Sequence, residues 1–155
     1  MNKPERTLGF LLHDVARLLR TRFEQNARGL GLTRSQWQIL AHLVHNEGIH
    51  QGALADLLEV EPITLARIVD KLQVSGLIER QSHAHDRPVW QLYLTSKAGP
   101  MLDKMKRIGA ITREEALQGI SKADLDRLVR ILTDMKTNLV EVLDRPPVRR
   151  RVSHG

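Results

Sequence analysis

The chain has 155 residues, and 24 Lys+Arg against 18 Asp+Glu leave a formal charge of +6 at pH 7. That length fits one domain or two small units sharing a core, and 41% hydrophobic with 27% charged residues is a globular composition, not a disordered one. The absence of cysteine excludes disulfides, thiolate catalysis and iron–sulfur ligation, and no apolar run approaches the roughly 20 residues of a membrane-spanning helix. Met1-Asn2-Lys3-Pro4-Glu5-Arg6 leads into an amphipathic pattern, not an apolar signal segment, so a cytoplasmic location is expected.

Charge is unevenly spread. Residues 1–34 carry a net +4, residues 35–61 a net −4 with no Lys or Arg, and residues 62–97 a net +2. Residues 98–144 balance, and the terminal stretch 145–155 adds +4 from Arg145, Arg149, Arg150 and Arg151. A basic balance that owes much to a short tail is weak evidence for a nucleic-acid partner. The middle of the chain has to carry that case.

Leu8, Leu11, Leu12, Val15, Leu18, Leu19 and Phe23 recur at three- and four-residue steps, which predicts a helix over about 7–28 that Gly29 and Gly31 end. Thr33-Arg34-Ser35-Gln36 has the form of a capping box, and Trp37, Leu40, Leu43 and Val44 follow at helical spacing. Leu54, Leu57 and Leu58 predict a short helix over 52–58. Pro62 suits the first turn of another, in which Leu65, Ile68, Val69 and Leu72 point inward until Gly76 stops it. Its other face carries Ile63, Thr64, Arg67, Asp70 and Lys71.

After Gly76 the period changes. Residues 77–81 and 89–94 predict two short strands, joined by the polar loop Ser82-His83-Ala84-His85-Asp86-Arg87-Pro88. Thr95 or Ser96 can cap a long helix through about Leu117, with Gly99 and Gly109 as weak points. Ser121 begins the last helix, whose stripe of Leu125, Leu128, Val129, Leu132, Met135, Leu139 and Val142 runs to Leu143 before Pro146-Pro147.

The expected fold is mainly α with a small β-hairpin: a winged helix-turn-helix flanked by long N- and C-terminal helices. The long apolar stripes exceed what a compact module of about 60 residues covers, so a second copy of the chain is the natural partner. Two recognition helices related by a dyad reach successive major grooves about one DNA turn apart.

The order of several short motifs carries a resemblance. Gly31-Leu32-Thr33 … Gln36-Trp37, then Leu54-Ala55 … Leu58, lead to Thr64-Leu65 … Arg67 … Val69-Asp70-Lys71-Leu72. Gly76-Leu77-Ile78 … Arg80 and Asp86-Arg87 … Leu92 … Leu94-Thr95 complete the order. It resembles a MarR-family transcriptional regulator, and Leu8-Gly9, the surroundings of Trp37 and Ile120-Ser121 … Asp124-Leu125 … Leu128 are similar to the SlyA branch.

Over residues 8–143 the resemblance implies a homodimeric DNA-binding regulator of repressor or anti-silencer type on a pseudo-palindromic operator, often relieved by small aromatic or phenolic acids. It would act in the cytoplasm, associated with the nucleoid. The implied divisions are 1–30 and 98–144 for dimerisation, 31–97 for DNA binding and 145–155 as a basic, disordered tail. Leu8, Leu12, Leu128, Leu132, Met135 and Leu139 are the expected dimer contacts.

Each candidate site has a plainer alternative. Pro62, Ile63, Thr64, Arg67 and Lys71 form the expected DNA face. Arg67 is suited to a bidentate guanine contact and Lys71 to a phosphate; the alternative is a solvated helix surface. Arg87, which the resemblance places in a minor groove with Asp86 holding it, is otherwise an ordinary turn pair. The family frequently has a second arginine next, where this chain has Pro88.

Trp37 is either core, with its indole N–H finding an acceptor, or the wall of a crevice for an aromatic carboxylate. His13 and Arg17, four apart on the first helix, could reach that ligand's carboxylate. The sets His83/His85/Asp86 and His42/His45/His50 fit no zinc spacing, and no cofactor is expected. No nucleophile elbow or phosphate loop points to an enzyme. A sequence-nonspecific architectural nucleic-acid binder is the competing class. Only five aromatics (Phe10, Phe23, Trp37, Trp90, Tyr93) exist, and at least three are expected to be buried, leaving no stacking platform.

Overall fold

A computed structural model describes residues 7–82 and 89–147. These divide into two compact units, residues up to Ala116 and residues from Leu117 onward. The first holds helices α1 (Leu8–Asn26), α2 (Arg34–His45), α3 (Gln51–Leu57) and α4 (Pro62–Val74), strands β1 (Ile78–Ser82) and β2 (Trp90–Leu94), and α5 (Gly99–Ala116). The second holds α6 (Lys122–Leu143).

The capping box forms as the sequence predicts. Thr33 Oγ1 accepts from the Gln36 amide at 3.2 Å, and Gln36 Oε1 accepts from the Thr33 amide at 3.0 Å. Its geometry aims α2 into the core, where Trp37, Ile39, Leu40 and Leu43 are buried. Leu54 and Ala55 of α3, Leu65, Val69 and Leu72 of α4, and Ile78 and Leu92 of the hairpin join them. This is the helix-turn-helix and its wing, built around one apolar core. Ile68, expected inward, is only half-buried.

The wing is an antiparallel pair with Ile78 opposite Leu94 and Ser82 opposite Trp90. The loop after α2 extends it, since Gly48 N–H donates to Leu92 O at 2.8 Å and Leu92 N–H to Ile49 O at 3.0 Å. Gly48 stands at φ +82°, where a Cβ would also lie 3.2 Å from Tyr93 Oη, so both backbone and space call for glycine. Gly76, at φ +78°, makes the turn from α4 into β1.

Several boundaries depart from expectation. α1 stops at Asn26, and a short 3-10 turn over Arg28–Leu30 intervenes before Gly31 at φ +70°, so Gly29 does not end the helix. Thr95 caps nothing: its hydroxyl donates to Gly76 O, tying the end of β2 to the α4–β1 turn. A 3-10 turn at Ser96–Ala98 then precedes α5. Gly109 does not interrupt α5; it faces Phe23, where a larger side chain would meet the ring. Ser121 does cap α6, accepting from the Asp124 amide at 3.1 Å.

α1 is fastened to α5 by polar contacts. Arg22 Nε donates to Glu115 Oε2 at 2.6 Å, and Asn26 Nδ2 donates to Thr112 Oγ1 at 3.0 Å. The Arg22 hydrogen bond holds the Glu115 carboxyl below the ordinary carboxylate range. Even so, no residue of α1 is buried, and none of α6. Among the described residues no helix is long and apolar enough to cross a membrane.

Candidate nucleic-acid interface

α4 sorts its residues by helical angle. Leu65, Val69 and Leu72 fill the core, which leaves Pro62, Ile63, Thr64, Arg67 and Lys71 outside and exposed. Ile63, at the first turn, is 64% exposed and adds an apolar side chain to this largely polar row. Arg67 and Lys71 have no ion-pair partner among the described residues, so both are free to meet an anion. Arg67 makes no ion pair with its neighbour Asp70. Asp70 is instead paired with Arg80 of β1, at 2.5 Å.

Arg80 stands in the motif order that carries the family resemblance, but its place in the sequence assigns it no role. It could have been found by parity, because alternate residues of a strand share a face and Ile78, two positions earlier, is buried. Asp86 and Arg87, with His83 and His85, lie outside the described residues. Among those described, no group of three His, Asp or Glu side chains could hold a metal ion.

Trp37 is buried and its ring lies 4.4 Å from that of Phe23, tilted by 49°. Contrary to expectation its Nε1 finds no acceptor. It borders a cavity of about 440 Å³ with Thr21, Glu24, Gln25, Ala27, Arg28 and Leu32. His13 and Arg17 do not line that cavity; Arg17 is exposed and sits 3.6 Å from Asp14. Nor are three of the five aromatics buried: Trp37 is, whereas Phe10 is 68% and Trp90 40% exposed.

The expected dimer contacts are open to solvent. Leu8, Leu12, Leu128 and Leu139 are exposed, Leu132 and Met135 half-buried.

A family model described as MarR family matches residues 30–87, which take in the helix-turn-helix and the first strand of the wing. The transcriptional regulator PA3341 is 32% identical, with 87% of this chain and 99% of that one covered and a TM-score of 0.75. The chain belongs to the MarR family. Members of that family are transcriptional regulators and not enzymes. The transcriptional regulator SlyA is 29% identical over 88% of this MarR-family chain and 96% of its own, with a TM-score of 0.71. A MarR-family regulator from Listeria monocytogenes, solved with a 26mer DNA, shares the fold at a TM-score of 0.73, with 22% identity over 93% of this chain and 98% of that one.

Proposed function

We propose that this MarR-family chain is a homodimeric, sequence-specific regulator of the SlyA-like branch that binds a pseudo-palindromic duplex operator in the cytoplasm. The observation that carries this is the outward face of α4, with Ile63, Thr64, Arg67 and Lys71 exposed and both cations unpaired among the described residues. Arg67 offers the fork that matches guanine O6 and N7, Ile63 an apolar contact for a thymine methyl, and Lys71 a phosphate anchor. Arg87 and Asp86 of the wing tip supply a minor-groove contact. The DNA complex of the Listeria relative supports the same use of the fold.

Residues 31–97 form the DNA-binding part, while 1–30 and 98–144 supply the dimer through Leu8, Leu12, Leu128, Leu132, Met135 and Leu139. The proposal is tested with duplexes that the protein itself selects from a random pool, titrated beside a scrambled duplex and single-stranded RNA. Preference for the selected duplex is expected. Equal affinity for all duplexes would favour an architectural protein, and tighter binding of RNA would give the exposed Trp90 a stacking role instead.

An effector site beside Trp37 belongs to the same proposal. A 440 Å³ cavity lined by both Trp37 and Arg28 suits an aromatic carboxylate, its ring against the indole and its acid group on the guanidinium. This replaces His13 and Arg17 by Arg28 as the cationic partner within one chain. Salicylate is expected to quench the fluorescence of Trp37, with Trp37→Phe separating its signal from that of Trp90. Because coupling is reciprocal, salicylate that loosens operator DNA must itself bind more weakly to the DNA complex. Identical affinities for free and DNA-bound protein would refute the switch.

A further inference from the structure

One guanidinium ties the wing to the recognition helix. The Arg80 side chain on β1 is 12% exposed, and its donors are almost all used. Nε donates to Gln51 Oε1 at 2.9 Å, at the start of α3. Nη1 donates to Asp70 Oδ1 at 2.5 Å and to Gln73 Oε1 at 2.9 Å, and Nη2 to Ala66 O at 3.1 Å.

Ala66, Asp70 and Gln73 recur at steps of four and three residues and so form one stripe along α4. On a helix of 3.6 residues per turn, that stripe adjoins the outward row of Ile63, Arg67 and Lys71. Asp70 is the one carboxylate within α4, and at 61% side-chain exposure it borders the surface that would meet phosphates.

We propose that Arg80 is a positioning residue for DNA recognition: it fixes the roll of α4 against the wing and neutralises the Asp70 carboxylate beside the DNA-facing row. This rests on the DNA-binding function proposed above. Being largely enclosed and already hydrogen-bonded, Arg80 has no spare charge to offer a phosphate. Its effect on DNA therefore passes through α4. A planar fork is needed because one side chain must hold three elements at once; a lysine, a compact charge without that fork, could keep only the Asp70 pair.

The experiment compares Arg80→Lys, Arg80→Ala and wild type in the full chain, reading selected-duplex affinity, scrambled-duplex affinity, the salt dependence of each, and hydrogen exchange of the α4 amides. For Arg80→Ala the selected duplex is expected to weaken on the order of tenfold or more, since a misaligned base contact is worth 1.4 kcal/mol at that factor. Scrambled-duplex affinity should fall by clearly less, through the uncompensated Asp70 carboxylate alone, and the α4 amides should exchange faster. Arg80→Lys should recover part of the lost preference.

Equal weakening of both duplexes, with the salt slope reduced by about one, would make Arg80 a direct phosphate contact and overturn the proposal. A lower melting temperature with the preference intact would reduce it to general support, and overturn it too. If wild type itself shows no duplex preference, the sequence-specific function proposed above fails. Hydrogen exchange then still tests the clamp, and unaltered α4 exchange in Arg80→Lys and Arg80→Ala would refute it.

Discussion

The helix-turn-helix module and the long helices α1 and α6 are written with the same alphabet of leucine, isoleucine and valine at helical spacing, yet they end in opposite conditions. In α2, α3 and α4 one apolar face is consumed within the chain, with Leu40, Leu43, Leu54 and Leu65 removed from water altogether, while Val44, Leu57, Ile63 and Val74 on other faces stay exposed. In α1 and α6 no residue is buried, and Leu8, Leu18, Leu128 and Leu139 each remain more than two-fifths exposed. Helical periodicity shows that a face is meant to be covered. It does not show by what. Short helices joined by tight turns find their cover locally, whereas a 22-residue helix such as α6 presents a stripe that calls for another surface.

The largest effect is expected where an exposed stripe is converted to charge. Leu128→Glu would place a carboxylate twice in the proposed symmetric interface, so the proposed dimer should dissociate at micromolar concentration and selected-duplex binding should vanish with it. Sedimentation and a duplex titration check both. The circular-dichroism signature of the module should survive, which separates the two regions.

The converse break is Leu65→Ala, which empties space in a fully buried site of α4. It is expected to cost about 2–5 kcal/mol in denaturant unfolding, by loss of transfer energy and creation of a cavity. Its effect on the monomer should not depend on protein concentration, unlike that of Leu128→Glu.

Arg67→Ala sharpens the comparison on the surface of α4. It should cost about 1–3 kcal/mol on the selected duplex and relax preference at one position of each half-site. Equal losses on selected and scrambled duplexes would make Arg67 a phosphate anchor. Ranked last is Glu115→Gln at the α1–α5 contact. The hydrogen bond from Arg22 depresses the Glu115 pKa in the folded chain, so its contribution is present above the ordinary carboxylate range and is lost as pH falls through the lower folded value. Melting temperatures of wild type and Glu115→Gln should therefore differ slightly near neutrality, because both groups are solvent-exposed, and converge in acid.

The sequence made the module legible because local signals agreed with the packing there. Thr33 and Gln36 form the cap their spacing predicts, Pro62 opens α4, and Leu65, Val69 and Leu72 of α4 are buried as their steps require. Departures came where a polar group had more than one possible partner. Thr95 looks like a helix cap, yet its hydroxyl goes to Gly76 O, a partner 19 residues away that no local pattern reveals. Trp37 has core spacing, but spacing cannot say whether an acceptor stands opposite its N–H, and none does.

Arg80 escaped for the same reason. A cation in a short strand reads as surface until the parity set by buried Ile78 turns it toward Asp70 and Gln73. Burial of aromatics was similarly overestimated, since an aromatic at the end of a strand or near a helix start, as Trp90 and Phe10 are, has few neighbours to cover it.

The most direct measurement is the stoichiometry of the complex with a self-selected duplex, by sedimentation equilibrium on wild-type protein. Two chains per duplex are expected, with half-sites repeating about one helical turn apart, because the proposed symmetric dimer presents two α4 helices to successive major grooves. A single chain bound at full occupancy, or a selected site without dyad symmetry, would contradict it.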